Sequence, residues 1–301
     1  MKTPPYLKPG SKIRMVSPSG KISEEHILPA VEWLEKQGYA VVLGRHVFAQ
    51  HYQFAGTDNQ RLEDMQEALN DPETTAIICS RGGYGMVRIL KRLNFDQFLK
   101  FPKWLVGFSD ITILHACLNN RRVATIHGAM PRYFFGDDGI PTENLHSLMQ
   151  LLTGEKVFYS FQNGENNRKG KASGELAGGN LSIISSMHGT PCELKTNGKI
   201  LFVEEIDEFL YHTDRMMHQL KLSGKLGNLA GLVIGSFTDM KDNESPFGKT
   251  VHEIISEAVE EYSYPVAFGF PAGHDKRNLA LAFGKKWELN VSEKHSTLEI
   301  L

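Results

Sequence analysis

A serine, a carboxylate and a histidine each stand in this chain where the surrounding pattern would let them take part in acyl transfer. Ser109 follows the apolar run Trp104-Leu105-Val106-Gly107-Phe108, and the residues after it are apolar at 111, 113, 114, 117 and 118. That spacing is helical, so the stretch reads as strand, turn and helix with the serine at the turn. Such a turn exposes the hydroxyl at a sheet edge and aims the helix's first N–H groups at whatever the serine attacks. The next small residue, Ala116, lies too far on to complete a G-x-S-x-G elbow, and Ser109-Asp110 also suits a plain helix N-cap. Glu204 ends the strand-like run Lys199-Ile-Leu-Phe-Val203, which points it at an edge. His274 follows Gly273 in a loop without an apolar partner and is free to face a cleft. Taken singly, a strand-end carboxylate and a loop histidine are ordinary solvated groups. With Ser109 they are the three parts of a nucleophile, base and orienter relay, which geometry alone defines.

A second feature stands just upstream. Ala76-Ile-Ile-Cys79 runs into Ser80-Arg81-Gly82-Gly83-Tyr84-Gly85 and then into a helix from 87 to 93. Paired glycines at a strand-to-helix junction let backbone N–H groups approach an anion without a Cβ in the way. The same glycines would also serve close helix-strand packing alone. In an open α/β sheet this loop would lie beside the Ser109 turn at the carboxyl edge, where ligands bind.

The elements that position these residues follow from periodicity. A strand from Lys12, a helix over 23–37 closed by Gly38 and a strand over 39–43 make a β-α-β start and predict a parallel sheet. Helices over 59–69, 110–118 and 141–152 and strands at 76–79, 104–106 and 124–127 continue it. The polar stretch 154–173 reads as a linker, giving domains over 1–153 and 174–301. In the second half, Gly174–Asn180 reads as a turn. Helices follow over 181–187, 213–222 and 251–259, with strands at 199–203, 229–237 and 265–268. Two antiparallel strands, 279–283 and 287–291, and a short last strand close the chain.

Composition narrows the function classes. The 301 residues carry a net charge of −2, with no basic cluster to bind nucleic acid. No run approaches the length of a membrane span and the first residues lack a signal-like apolar stretch, so a cytoplasmic protein is expected. Three cysteines without a C-x-x-C pattern fit reduced thiols better than a disulfide framework or a zinc site. Neither G-x-G-x-x-G, a Walker lysine, H-E-x-x-H nor a calcium-loop spacing is present, so no cofactor or metal is expected.

In order along the chain, Ser80–Gly85, Gly-Phe-Ser109-Asp-Ile-Thr, Gly179-Asn-Leu181, Gly189-Thr-Pro191, Ile200-Leu-Phe-Val-Glu-Glu205, Asp214-Arg-Met216 and Gly273-His274 resemble the LD-carboxypeptidase family of serine peptidases. The resemblance implies an N-terminal Rossmann-like α/β domain and a C-terminal α/β domain with a β-barrel-like core. It implies Ser109 as nucleophile, His274 as general base and acid, Glu204 as its orienter, and the backbone N–H groups of Gly83 and Asp110 as oxyanion hole. Glu205 adjoins Glu204, and strand alternation sends one of the two to the opposite face. The implied reaction is hydrolysis of the bond between the L-centre of a diamino acid and the terminal D-alanine of a murein tetrapeptide, without cofactor, in cytoplasmic wall recycling by a homodimer. Arg81 and Arg215 are candidates for holding substrate. One branch of the family cleaves peptidyl or aminoacyl nucleotide conjugates and confers microcin C7 immunity. A non-enzymatic two-domain binding protein is the remaining class.

Overall fold

The alternation of apolar runs and amphipathic helices in the first half becomes a parallel α/β layer in the computed structural model, which describes residues 1–301. The chain divides into two units, Met1–Glu155 with Leu279–Ala282, and Lys156–Asn278 with Phe283–Leu301.

The first unit contains β1 (Lys12–Val16), α1 (Glu24–Lys36), β2 (Ala40–Leu43), α2 (Asp58–Asn70), β3 (Thr74–Cys79), α3 (Met86–Leu90), α4 (Asp96–Lys100), β4 (Trp104–Gly107), α5 (Thr112–Asn120), β5 (Thr125–His127) and α6 (Glu143–Thr153). The second contains β6 (Phe158–Gln162), β7 (Gly170–Asn180), α7 (Leu181–Ser186), β8 (Ile200–Ile206), α8 (Leu210–Leu222), β9 (Gly231–Thr238), α9 (Val251–Ala258), β10 (Val266–Phe268), β12 (Lys286–Val291) and β13 (His295–Ile300), with β11 (Leu281–Phe283) at the boundary. The first sheet has six strands in the order β11-β5-β4-β3-β1-β2. Its β2, β1, β3, β4 and β5 are mutually parallel, and β3 and β4 are buried almost throughout. Burial on both faces explains why these strands read as continuous apolar runs rather than alternating ones.

Local chemistry sets the helix ends. Thr57 and Gln60 form a capping box at α2 and Thr250 and Glu253 another at α9, while Gly154 closes α6 in the left-handed conformation. Asp71, just past α2, ties two strands to that helix. It accepts from the Glu73 N–H at 2.9 Å, the Thr74 hydroxyl at 2.9 Å and Arg14 Nε at 3.1 Å. Burial alone would raise its pKa, but these donors and Lys12 outweigh that and hold the carboxyl at about 2.

The second sheet has seven strands, β10-β9-β8-β7-β12-β13-β6. Strands β7 to β10 pair in parallel and β7, β12, β13 and β6 antiparallel. It curls toward closure: Arg168 exchanges backbone hydrogen bonds of 2.9 and 3.1 Å with Val266 of β10, and the Asn167 side chain accepts from the Phe268 N–H at 2.9 Å. This is the barrel-like core that the resemblance implies.

Several local expectations change. The stretch 154–173 is not a free linker, because it carries β6 and the start of β7. Gly174–Asn180 is strand, not turn. Its glycines are there for close approach: a Cβ on Gly178, whose φ is +153°, would lie 1.8 Å from the Phe202 carbonyl oxygen of β8. Strands 279–283 and 287–291 do not pair with each other, since β11 joins the first sheet and β12 lies between β7 and β13. Cys79 is a free, buried thiol.

Two stability measurements follow. Gly178→Ala should lower the unfolding free energy of the second unit by roughly 3 kcal/mol in urea titration, since backbone carbonyl offers no room to yield. Asp71→Asn should cost about 2 kcal/mol near neutral pH. Because the folded pKa lies below the unfolded one, that deficit shrinks as pH falls from about 4 through about 2.

Candidate active site

The first unit holds the serine turn. Ser109 opens a short 3₁₀ turn, Ser109–Ile111, directly after β4 and extended Phe108. Its φ is +64°, a left-handed conformation that costs a residue with a Cβ about 1–2 kcal/mol. The surrounding structure sustains it. The β4 end is pinned by the Gly107 carbonyl, which accepts from the Gly128 N–H at 3.1 Å and from His115 Nε2 at 2.9 Å. A carbonyl only accepts, so His115 carries its proton on Nε2, and burial lowers its pKa to about 4 and keeps it neutral.

The paired-glycine loop abuts this turn. A Cβ on Gly82 would lie 2.7 Å from Ser109 Cβ and 3.0 Å from its Oγ, so only glycine leaves the hydroxyl room. Gly83 has φ +93°. The loop is tied to the turn after β1 by Gly20 N–H to the Gly82 carbonyl at 2.9 Å. Asp110 braces the assembly: buried Oδ2 accepts from Ser19 Oγ at 2.6 Å and from the Met86 N–H at 2.8 Å. Burial raises the Asp110 pKa, against the pull of those two donors, Arg61 and the Gly85 N–H. The backbone N–H of Asp110 lies in the first turn, where no intrahelical acceptor exists, and no backbone carbonyl accepts from Gly83 N–H. Ser19 and the side-chain role of Asp110 escape sequence reasoning, because a residue next to a serine carries no signal of which distant loop it will hold.

The second unit pairs the acid with the histidine. His274 Nδ1 lies 2.7 Å from Glu204 Oε2, with the Glu204 side chain fully buried. Alternation decides between the two glutamates. Glu204 turns to His274, and Glu205 turns the other way to accept from Asn180 Nδ2 at 2.8 Å and the Ser182 N–H at 2.7 Å. A β-bulge in the β8–β9 pairing lies opposite Glu204. There Ser236 N–H donates to the Ala272 carbonyl at 2.8 Å, and Thr238 Oγ1 donates to the His274 carbonyl at 3.0 Å. Asn278 Oδ1 accepts from the Gly273 N–H at 3.0 Å. Gly273, at φ +128°, must lack a side chain: its Cβ would lie 2.3 Å from Ser236 Oγ and 3.0 Å from Glu204 Oε2.

A carboxylate accepts, so His274 donates from Nδ1 and Nε2 is the nitrogen that can take a proton. Burial pushes the His274 pKa down, but the Glu204 hydrogen bond and charge, with the charge of Glu205, outweigh it and raise the net value. Of the other sequence candidates, Arg81 sits beside the serine turn and donates to the Lys21 carbonyl at 2.7 Å. Arg215 is exposed on α8 and lies over the Tyr211 ring at 5.2 Å, forming neither hydrogen bond nor ion pair with Glu204 or His274.

NMR titration of His274 should therefore give a pKa above the usual 6.5, and Glu204→Gln should bring it down, because the hydrogen bond and charge that raise it are removed. Because the folded value is the raised one, the pair's contribution to stability is fully present below the unfolded histidine pKa and is lost as pH rises through the folded pKa.

Residues 13–128 match the LD-carboxypeptidase N-terminal domain and residues 173–289 match the LD-carboxypeptidase C-terminal domain. A probable murein peptide carboxypeptidase of Bacillus subtilis is 34% identical over 98% of this chain and 94% of its own length. The crystal structure of a muramoyltetrapeptide carboxypeptidase from Oxalobacter formigenes superposes with TM-score 0.85 at 29% identity, covering 96% of this chain and 98% of that one. The microcin C7 self-immunity protein MccF, solved with glutamyl sulfamoyl guanosine, shares the fold at TM-score 0.84 and 22% identity, over 97% of each chain. A strained serine turn and a buried acid–histidine pair thus occur in a chain that belongs to the LD-carboxypeptidase family, a hydrolase of the serine carboxypeptidase type.

Proposed function

We propose that this protein is an L,D-carboxypeptidase that removes the terminal D-alanine of murein tetrapeptides by hydrolysing its bond to the L-centre of the diamino acid, through Ser109, His274 and Glu204. The observation that carries the reading is the strained Ser109 turn held against Gly82, because backbone strain of this kind is retained where it aims a reacting group. The His274–Glu204 pair and the murein-peptide enzymes among the relatives support it.

In this reading His274 Nε2 takes the Ser109 proton as Oγ attacks the carbonyl of the diamino acid. The Gly83 and Asp110 N–H groups receive the developing oxyanion, each donor being worth about 3 kcal/mol in comparable hydrolases. The imidazolium, held by Glu204, returns its proton to the D-alanine amine as the C–N bond breaks. Water, deprotonated by the same histidine, then hydrolyses the acyl-enzyme and regenerates Ser109. The proposal includes work in the cytoplasm as a homodimer. No helix is long and apolar enough to cross a membrane.

The nucleotide-conjugate branch finds less support in this chain. Trp104 and Trp287 are fully buried in the core and cannot stack on a base, which leaves only Trp33.

D-Alanine release from a free murein tetrapeptide, followed by mass spectrometry with a chelator present, tests the reading. Wild type should release it, and Ser109→Ala should lose on the order of 10⁴-fold or more in kcat. Gly82→Ala, which crowds the hydroxyl, should lose roughly 10²-fold. The wild-type kcat/KM should rise with pH through the raised His274 pKa, since only neutral imidazole accepts the proton. Release of amino acid from an aminoacyl sulfamoyl-adenylate and not from tetrapeptide would overturn the murein reading.

A further inference from the structure

The loops at the carboxyl ends of the first sheet's strands line an open concavity of about 210 Å³ that the proposed reaction does not use. Lys21, Ser23 and His26 reach it from after β1, Gln50 from after β2, Arg81 from after β3 and Arg132 from after β5. It therefore opens on the same sheet edge as Ser109, and its nearest cations are close in the chain to the serine turn. Lys21 adjoins Gly20 and Arg81 adjoins Gly82; these glycines are hydrogen-bonded to each other at 2.9 Å, and Gly82 packs on Ser109.

The lining has one sign of charge. Lys21, Arg81 and Arg132 face the cavity and none is ion-paired to a carboxylate, whereas Arg88 and Arg61 of the same unit both pair with Asp58. Arg81 is oriented by its bond to the Lys21 carbonyl. The thirteen-residue helix α1 begins at the same wall, and its N-cap Ser23 gives no side-chain cap to the helix; its hydroxyl turns to Glu25 and His26. Three cations thus converge on one concavity, beside a helix start whose first turn already carries Glu24 and Glu25. A larger cleft of about 430 Å³ shares His26 and Arg132 as its wall and extends away along α1, where Glu25, Glu32 and Asp137 line it, so the positive charge is confined to the smaller cavity.

We propose that this pocket holds a carboxylate of the murein peptide and sets the enzyme's preference for acidic peptides, Lys21 and Arg132 being specificity residues that act with Arg81. The inference rests on the L,D-carboxypeptidase reading. A murein tetrapeptide offers two carboxylates besides the terminal one: the free α-carboxylate of D-glutamate and, when the diamino acid is diaminopimelate, its side-chain carboxylate.

The test compares wild type with Lys21→Gln and Arg132→Gln, which break no side-chain hydrogen bond and should melt like wild type. Both variants should raise KM about tenfold or more for the unmodified tetrapeptide with kcat within about twofold. A tetrapeptide amidated at the bound carboxylate should be a poor substrate for wild type, and the variants should not worsen it; amidating D-glutamate and diaminopimelate separately identifies which carboxylate is held. Equal KM for wild type and both variants on unmodified peptide, with D-alanine released normally, would overturn the pocket alone. Absence of turnover by wild type, with no binding of tetrapeptide to Ser109→Ala by calorimetry, would overturn both readings.

Discussion

The left-handed backbone at Ser109 is the constraint on which the first unit's geometry depends. A residue with a Cβ does not hold φ +64° unaided, so the neighbours must over-determine it. They do so with interactions that differ in kind: glycine at 82 removes a clash, His115 and Gly128 hold the preceding carbonyl, and the buried Asp110 carboxylate binds Ser19 and the start of α3. Of these, only the glycine at 82 also borders the hydroxyl itself. Much of this unit's loop chemistry thus serves to hold one dihedral angle where a reacting oxygen can use it.

The second unit solves an electrostatic problem. A fully buried carboxylate is costly unless it is hydrogen-bonded, and Glu204 is compensated by His274 at 2.7 Å. The cost is also put to use: in a poorly solvated site the carboxylate's field on the imidazole is strong, fixing its tautomer and raising its proton affinity. The adjacent Glu205 needs its own donors, and Asn180 at the end of β7 and the Ser182 N–H at the start of α7 supply them. Two consecutive buried acids on one strand are tolerable because alternation separates their partners onto opposite faces.

How much was legible in the chain varied with the range of the physics. The Ser109 turn, the β-α-β order of the first unit and the Ser80–Gly85 junction show locally, because strand and helix spacing change within a few residues. The Gly174–Asn180 stretch does not. Its glycines look like turn residues, whereas they exist because the Phe202 carbonyl of the neighbouring strand leaves no room for a Cβ. Arg215 likewise matched by position, yet in the fold it lies exposed over Tyr211.

The sequence by itself determined that this is an α/β chain of LD-carboxypeptidase type, with a serine at a strand-to-helix turn, an acid at a strand end and a histidine in a loop. Those features follow from periodicity, glycine placement and motif order, all short-range in the chain. Only the tertiary structure decided that Glu204 and not Glu205 meets His274, since alternation has two phases and burial selects one. It alone brought Lys21, Arg81 and Arg132 around one cavity, because residues this far apart in the chain become neighbours only when parallel strands set their carboxyl ends side by side.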